Sequence, residues 1–376
     1  MKIYKTFWLA ISLVALLLVG CDQQPLGMTD IGAYDTTSQA TTETTETIKV
    51  GWMGPLSGGA ASYGESIKRG VELALKDSGL DVELVVEDSK CDAKDAVSAI
   101  TKLVTIDQVQ VIIGEVCSGA TLASAPIAND YKTPMISSAS TSPKLTTAGD
   151  YIFRVVPSDA LQGDFGANLV YGAGHEKLAI LYSNEEYGLG FNTVLVDRFQ
   201  SIGGQAVASE AFEREAADLR TQLTKIKAAE PDAVYIISNS PDSSVAALKQ
   251  LKELEIDAAV YGSEGLKSAD LVEAAGSAAE GLTITSVSFG TAEFAANHLA
   301  EYGEEAGPFA AQGYDAFMAI AETVKAGATT GEDIRSQLFG VEFDGVSGHV
   351  KFDANGDVFG NYEVFLVKDG EFVAVD

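Results

Sequence analysis

Residue patterns that could carry enzyme chemistry occur in this sequence only as incomplete matches. The segment 262–268 (GSEGLKS) is similar to a phosphate-binding loop, but a leucine separates glycine from lysine and the glycine spacing is wrong. The segment 353–357 (DANGD) starts like a calcium loop, but its glycine is displaced and no glutamate closes it, so we expect a β-turn. There is no G-x-S-x-G motif. The histidines lack cysteine neighbours at metal-ligand spacing: His175, His298 and His349. We therefore expect no enzyme, no metal and no cofactor.

The first of the three cysteines, Cys21, follows a short apolar run. Lys2 and Lys5 precede residues 7–19, a stretch too short to span a bilayer as a stable helix. The segment 18–21 (LVGC) resembles the lipobox of exported lipoproteins, in which the chain is cut before the cysteine and the cysteine is acylated. The alternative is an ordinary signal peptide with a chance cysteine. We expect residues 1–20 to be a lipoprotein signal peptide and Cys21 to be lipidated.

The segment 21–47 is expected to tether the folded body to the membrane. It is rich in threonine and has no periodic apolar pattern, so it cannot bury enough surface to fold. Acyl chains on Cys21 would hold the protein at the outer face of the cytoplasmic membrane without spanning it. If the source has two membranes, this face lies in the periplasm, and Asp22 resembles a signal for retention on the inner membrane.

The net charge of −29 restricts the possible partners. No basic stripe exists to neutralise phosphates, which argues against nucleic acid and against adhesion of the folded body to anionic lipid. After lipidation of Cys21, Cys91 and Cys117 remain in an oxidising compartment, where two cysteines usually pair. We expect a disulfide between them.

Short apolar runs alternate with amphipathic stretches from residue 48 onward. The stretch 64–77 places Ile67, Val71 and Leu75 on one helical face. Three other runs are apolar throughout, as parallel strands covered by helices on both faces must be: 111–113, 178–181 and 234–237. This alternation predicts an α/β fold with doubly wound parallel sheets.

The strand–helix alternation runs twice, which predicts two lobes with a ligand cleft between the carboxyl ends of their strands. Asp369-Gly370 is expected to form a tight hairpin turn near the C-terminus. The expected first lobe comprises residues 48–155 plus 287–346, and the expected second lobe 156–286 plus 347–376. The expected hinge strands lie near 154–157, 284–288 and 345–350.

An ordered series of short segments resembles the type I periplasmic binding proteins, in particular the branch that binds leucine, isoleucine and valine. Each motif is short, but their order and spacing cover nearly all of residues 48–368. They are 54–58 (GPLSG), 63–64 (YG), 87–92 (EDSKCD), 113–118 (IGEVCS), 136–146 (ISSASTSPKLT), 187–188 (YG), 262–265 (GSEG), 314–316 (YDA) and 348–357. The resemblance places Cys91 and Cys117 where that branch carries its disulfide.

The resemblance also implies roles for residues on the first-lobe side of the cleft. Ser118 would begin a helix and bind a ligand carboxylate through its hydroxyl and neighbouring amides, or it would be a plain N-cap. Ala139 would offer its carbonyl to a ligand ammonium, and Thr141 would contact the α-amino acid head. The alternative for both is an ordinary polar loop.

On the second-lobe side the resemblance implies that Glu264 pairs with the ligand ammonium, unless it is a surface turn residue. Tyr63 and Tyr187 would wall the cleft from opposite lobes, or simply pack. Leucine binders of the family have an aromatic ring where this chain has Asn239. This departure weakens the expectation of a strictly branched-chain ligand.

The resemblance implies a monomeric, non-enzymatic substrate-binding component of an ABC importer, which closes its lobes on an amino acid and docks on permease subunits. The amino acid would be branched-chain, or smaller and more polar. One alternative is a ligand that is an amide, urea-like or a small carboxylic acid. Another is a sensory binding protein that reports to a receptor.

Overall fold

The computed structural model describes residues 47–375 of the chain. The signal peptide expected over 1–20, the lipidated Cys21 and all but the last residue of the 21–47 tether lie outside the described residues. Among the described helices, none is both long and apolar enough to cross a membrane.

The first lobe is built on a five-stranded sheet in which all strands run parallel, in the order β2-β1-β3-β4-β5. Its central strand β3 is fully buried, as its unbroken apolar sequence requires. The strands are β1 Ile48–Gly54, β2 Val82–Asp88, β3 Val111–Ile113, β4 Met135–Ser137 and β5 Ile152–Arg154, and the connecting helices are α1 Ala61–Ser78, α2 Ala93–Lys102 and α3 Ser118–Tyr131.

The second lobe contains a seven-stranded sheet in the order β14-β13-β10-β9-β8-β6-β7, with antiparallel β13 and β14 added to five parallel strands. The fold is thus α/β with two parallel-sheet lobes, as expected. The strands are β6 Lys177–Ser183, β7 Gln205–Phe212, β8 Ala233–Ile237, β9 Ala259–Gly262, β10 Thr283–Ser286, β13 Glu363–Lys368 and β14 Glu371–Val375. Its helices are α4 Asp159–Gly172, α5 Glu186–Ser201, α6 Arg220–Ala228, α7 Pro241–Glu253 and α8 Ala269–Ala275.

The chain returns to the first lobe after β10 and packs a second set of helices there. Gly70 on α1 faces the Ala310 carbonyl, and a Cβ at Gly70 would stand 2.0 Å from that oxygen. Only glycine allows the two helices to approach this closely. The returning elements are α9 Ala292–Tyr302, α10 Ala310–Lys325, α11 Gly331–Leu338, β11 Glu342–Asp344 and β12 His349–Lys351.

The last passage between the lobes falls later in the chain than the sequence suggested. Val350, Phe352 and Val358 are buried in the core of the first lobe, although the boundary at 347 put them in the second. The hydrogen bond from the Arg154 amide to the Gly356 carbonyl ties the same segment to β5. Because β13 then joins the second sheet, the third connection lies at 359–362 rather than at 345–350.

Two local predictions are confirmed by backbone geometry. Asp369 and Gly370 both have positive φ angles and close the β13–β14 hairpin as its two-residue loop. The segment 353–357 is a turn in which the Asp353 side chain accepts hydrogen bonds from the Asn355 and Asp357 amides, at 2.8 and 3.0 Å.

Candidate functional site

The cleft between the lobes encloses a small cavity whose walls contain six of the seven predicted ligand-binding residues. Its volume is about 30 Å³. The predicted residues that line it are Tyr63, Ser118, Ala139, Tyr187, Asn239 and Glu264, and the others are Val116, Cys117, Gly265 and Phe309. The seventh predicted residue, Thr141, is fully buried and does not line the cavity.

Ser118 begins α3, as predicted, so the free amides of the first helical turn lie at the cleft. Its Oγ accepts a hydrogen bond from the Ser142 amide at 3.2 Å, which leaves the hydroxyl proton free to donate elsewhere. The buried Glu115 carboxylate accepts from the Cys117 amide at 2.5 Å and from Ser89 Oγ at 2.5 Å, and so fixes the start of the helix. Burial raises the pKa of Glu115 to about 7. This geometry suits a ligand anion.

The loop after β4, which carries Ala139 and Thr141, is held rigid by buried hydrogen bonds. Ser137 Oγ donates to the Glu115 carbonyl at 2.5 Å and accepts from the Ser140 amide at 2.9 Å. Arg154, only 1% exposed, donates to the Thr141 carbonyl at 3.0 Å and forms an ion pair with Asp357 at 2.7 Å. The loop is therefore formed before any ligand arrives.

Glu264 lies in a short turn directly after β9, where the second sheet meets the cleft, and it is 4% exposed. Its Oε2 accepts from Gln162 Nε2 at 2.7 Å. The neighbouring Tyr187 hydroxyl donates to Ser263 Oγ at 2.8 Å. Burial raises the pKa of the Glu264 carboxyl above its ordinary value, because the charged form loses hydration. A cationic partner would stabilise the charged form of such a buried carboxylate.

Asp159, at the start of α4, is a second buried carboxylate near Glu264; it does not line the cavity, and the sequence analysis did not single it out. It is fully buried, and both of its carboxylate oxygens lack a hydrogen-bond partner among the described residues. Its amide donates to the Thr141 carbonyl at 2.8 Å, which places it beside the predicted ammonium-binding loop. Burial, and then the charge of Glu264, raise the pKa of Asp159 well above its usual range.

The sequence signal at Asp159 is indistinguishable from ordinary helix capping. Ser158 is the N-cap of α4, and acidic residues are common in the first turn of any helix. What makes Asp159 unusual is its burial next to Glu264, which depends on the packing of distant segments. Tyr362, for example, reaches across from the last lobe connection to donate to the Ser158 carbonyl at 3.0 Å.

The lobes are closed on each other in this structure. The Tyr63 hydroxyl of the first lobe donates to the Gly265 carbonyl of the second at 2.8 Å. Arg214 donates across the cleft to the Cys91 carbonyl at 3.1 Å, and Lys144 pairs with Glu186 at 2.6 Å. These contacts cover the cavity.

Cys91 and Cys117 lie side by side at the edge of the cleft. Their Cα atoms are 5.4 Å apart, within the usual range for a disulfide, and the two residues are paired in the structure. Within residues 47–375, no three His, Cys, Asp or Glu side chains are grouped so that they could hold a metal ion.

The two-lobed fold and the cleft define a class of ligand-binding protein, and comparison with known proteins identifies the family. The family model described as periplasmic binding protein matches residues 47–371. The chain therefore belongs to the periplasmic binding protein family, with the type I fold that its structural neighbours share.

Relatives of the chain include amino acid-binding proteins. A leucine-, isoleucine-, valine-, threonine- and alanine-binding protein of Pseudomonas aeruginosa is 28% identical over 83% of this chain and 87% of its own length. A leucine-binding protein of Thermotoga maritima superposes with a TM-score of 0.83 at 28% identity, over 88% of this chain and 98% of that one. A protein from Rhodopseudomonas palustris in complex with 3,4-dihydroxybenzoic acid has a TM-score of 0.80 at 26% identity, over 88% of this chain and 96% of that one.

Proposed function

We propose that this protein is the extracytoplasmic substrate-binding component of an ABC importer, and that its ligand is a zwitterionic α-amino acid bound by lobe closure. The ligand carboxylate meets Ser118 at the start of α3. The ligand ammonium meets the Ala139 carbonyl and the Glu264 carboxylate, while Asp159, whose amide is held by the Thr141 carbonyl, adds its negative charge beside them.

The observation that carries this proposal is the pair of buried carboxylates at one end of the cleft. Asp159 and Glu264 are 0% and 4% exposed, and a buried charge is tolerated only when it is paired or neutralised. No Lys or Arg side chain is hydrogen-bonded or ion-paired to either carboxylate among the residues that the structure describes. A cationic ligand group supplies the missing partner, and the helix start at Ser118 accommodates the ligand's negative end.

The same carboxylates argue against a purely anionic ligand. Relatives of similar fold bind aromatic acids, so a benzoate-type ligand is the chemical alternative. Such a ligand has no ammonium, and would leave Asp159 and Glu264 unpaired when the lobes close. An uncharged amide would also leave the two carboxylates without a positive partner, because it offers only a neutral hydrogen-bond donor.

A thermal-shift screen tests this proposal. The purified mature domain is heated with each of the twenty amino acids, with small amides including urea, and with benzoate and 3,4-dihydroxybenzoate. A ligand at 100 times its Kd adds about 2.7 kcal/mol of stability, an easily measured rise in Tm. We expect at least one amino acid to stabilise the protein and the aromatic acids not to. Stabilisation by a benzoate alone would refute the proposal.

Attachment to the membrane through Cys21 completes the proposed role, since delivery to a permease is aided when the binding protein stays at the membrane surface. The folded body carries a strongly negative charge and would not adhere to anionic lipid. A Cys21→Ser variant should be released from the membrane fraction. Its retention there would show that another feature holds the protein at the membrane.

A further inference from the structure

Asn239 presents an unsatisfied acceptor to the ligand cavity. It follows β8 and immediately precedes the N-cap of α7, Ser240, so its position is fixed by two regular elements. It lines the cavity, yet its Oδ1 is buried and has no hydrogen-bond partner in the described part of the chain. A buried acceptor left without a donor is costly, so this oxygen favours a ligand that brings one.

A second polar group stands behind Asn239. Glu185, directly before α5, has a side chain 25% exposed, and its Oε1 is also buried without a partner among residues 47–375. Burial raises the pKa of Glu185, while Arg214 and the amide of Asn239 oppose that shift. Arg214 approaches Glu185 only to 3.8 Å. The Asn239 side chain therefore lies close to Glu185, and no donor among the described residues reaches its oxygen.

The rest of the cavity wall differs sharply from this corner. Val116, Cys117 and Phe309 line it with apolar surface. The groups that we propose for the amino acid head are Ser118, Ala139, Asp159 and Glu264. Asn239 is not needed for either head charge, so it faces a different part of the ligand.

We infer that Asn239 is the specificity-determining residue of this site and that it accepts a hydrogen bond from the ligand's side chain. This inference rests on the proposed function, because it requires an amino acid ligand. The ligand class is then a small amino acid with a donor near the end of its side chain, a hydroxyl or a primary amide.

Two isosteric pairs of amino acids test the inference on the wild-type protein. Threonine and valine differ by a hydroxyl in place of a methyl group, and asparagine and leucine differ by a carboxamide in place of an isopropyl group. An acceptor left unpaired by the apolar member weakens its binding about 5- to 150-fold. We expect calorimetry to show this preference in the pair that binds more tightly. Equal or tighter binding of the apolar member in that pair would overturn the inference.

The Asn239→Leu variant separates side-chain recognition from recognition of the amino acid head. It keeps the approximate volume and removes the acceptor, so the preference for the polar ligand should disappear or reverse. The matched control is Asn184→Leu, which alters an exposed asparagine outside the cavity and should leave the preference unchanged. A uniform loss of affinity for both members of a pair would mean that Asn239 contacts the ligand head, and would overturn the inference.

A conservative variant shows whether an effect of Asn239→Leu comes from the lost acceptor or from misfolding of the variant protein. Asn239→Gln keeps both an acceptor oxygen and an amide that can face Glu185, so it should still prefer the polar member of the pair. Loss of the preference in this variant too, with a normal circular dichroism spectrum, would contradict the assignment. If no amino acid binds at all, the proposed function fails. If amino acids bind with an apolar preference, only this inference fails.

Discussion

The first lobe meets the cleft with neutral groups already held by hydrogen bonds, whereas the carboxylates of the second lobe have no cationic partner among the residues that the structure describes. On the first side, Arg154 holds the Thr141 carbonyl, and Ser137 ties the same loop to the start of α3. On the second side, Asp159 and the Asn239 oxygen are buried without partners in the region the structure describes. One half of the site is complete by itself, and the other half is completed by a ligand.

This difference gives a physical reason for the ligand to bind the first lobe before the second lobe closes over it. A pre-formed, neutral first-lobe surface can bind a ligand without rearrangement. Closure then brings the ligand to the second-lobe carboxylates, whose burial is favourable only if a positive charge meets them. The ligand therefore stabilises the closed state through a contact that the open state does not have, which is the requirement for a ligand-driven change.

The comparison is tested most severely by removing the charge of Glu264. The Glu264→Gln variant keeps the shape of the side chain, and truncating one member of a buried charge pair costs about 2–5 kcal/mol. We expect the affinity for the amino acid to fall about 30-fold to several thousand-fold, as measured by calorimetry. The Tm without ligand should be unchanged or higher, since the variant removes a buried charge beside Asp159.

Glu273→Gln is the matched control, because Glu273 is exposed on α8 and outside the cavity. Its affinity should equal that of the wild type. Binding by Glu264→Gln within threefold of wild type would mean that Asp159 alone neutralises the ligand, or that the ligand has no ammonium. Asp159→Asn distinguishes these cases, because it weakens binding only in the first.

A pH dependence of affinity follows from the same pair of carboxyls. In the free protein, burial raises the pKa of Asp159 and Glu264, and the charge of Glu264 raises that of Asp159 further. A bound ammonium lowers both pKa values, so binding releases protons. Affinity should then rise with pH from the usual carboxyl range up to the raised pKa of the free pair, by at most about tenfold per pH unit for each proton.

Calorimetry between about pH 4.5 and about pH 8, in buffers of different ionisation enthalpy, measures this proton release directly. The charge of Arg154 partly opposes the rise in the pKa of Asp159, and the nearby Tyr187 and Tyr362 stay neutral because burial raises their pKa values. Asp159→Asn should flatten the profile, whereas Asp270→Asn, on the exposed side of α8, should not. A wild-type affinity independent of pH would show that Asp159 and Glu264 release no protons when the ligand binds.

The sequence predicted the fold well where local pattern and burial agree. The unbroken apolar runs 111–113 and 234–237 are buried strands because both faces of their sheets are covered. The last lobe boundary was misplaced because Val350, Phe352 and Val358 are single apolar residues in a short segment. Nothing local in such a segment tells which of two cores it joins.

The candidate site shows the same limit in its charges. Motif order located Ser118, Tyr187 and Glu264, because each follows a strand whose carboxyl end faces the cleft. Asp159 could not be separated from an ordinary residue of a helix first turn. Its role depends on burial by segments far apart in the chain. The residues next to it in the sequence do not indicate whether a polar side chain will be buried.

A smaller effect is expected from the hydrogen bond that closes the cavity. Tyr63→Phe removes the donor to the Gly265 carbonyl and leaves that carbonyl unpaired only when the lobes are closed. A neutral hydrogen bond contributes about 0.5–1.5 kcal/mol, so affinity should fall about 2- to 13-fold, mainly through faster dissociation. Stopped-flow measurement of ligand release checks this. Tyr131→Phe, at an exposed tyrosine, is the control, and an equal change in both variants would argue against the contact.

The smallest effect should come from the ion pair at the rim of the cleft. Lys144 Nζ lies 2.6 Å from Glu186 Oε2, and the pair bridges the lobes, but the two side chains are 64% and 36% exposed. Water screens such a pair, and exposed pairs contribute little, so Lys144→Ala should weaken binding by at most about fivefold at low salt. In about 1 M salt, where charges are screened within roughly 3 Å, the difference from wild type should vanish.

A double-mutant cycle with Glu186→Gln isolates the pair, since each single variant should weaken binding equally and the double variant no further. A loss above about tenfold, or one that persists at high salt, would mean that the rim contributes to closure as strongly as the buried carboxylates do.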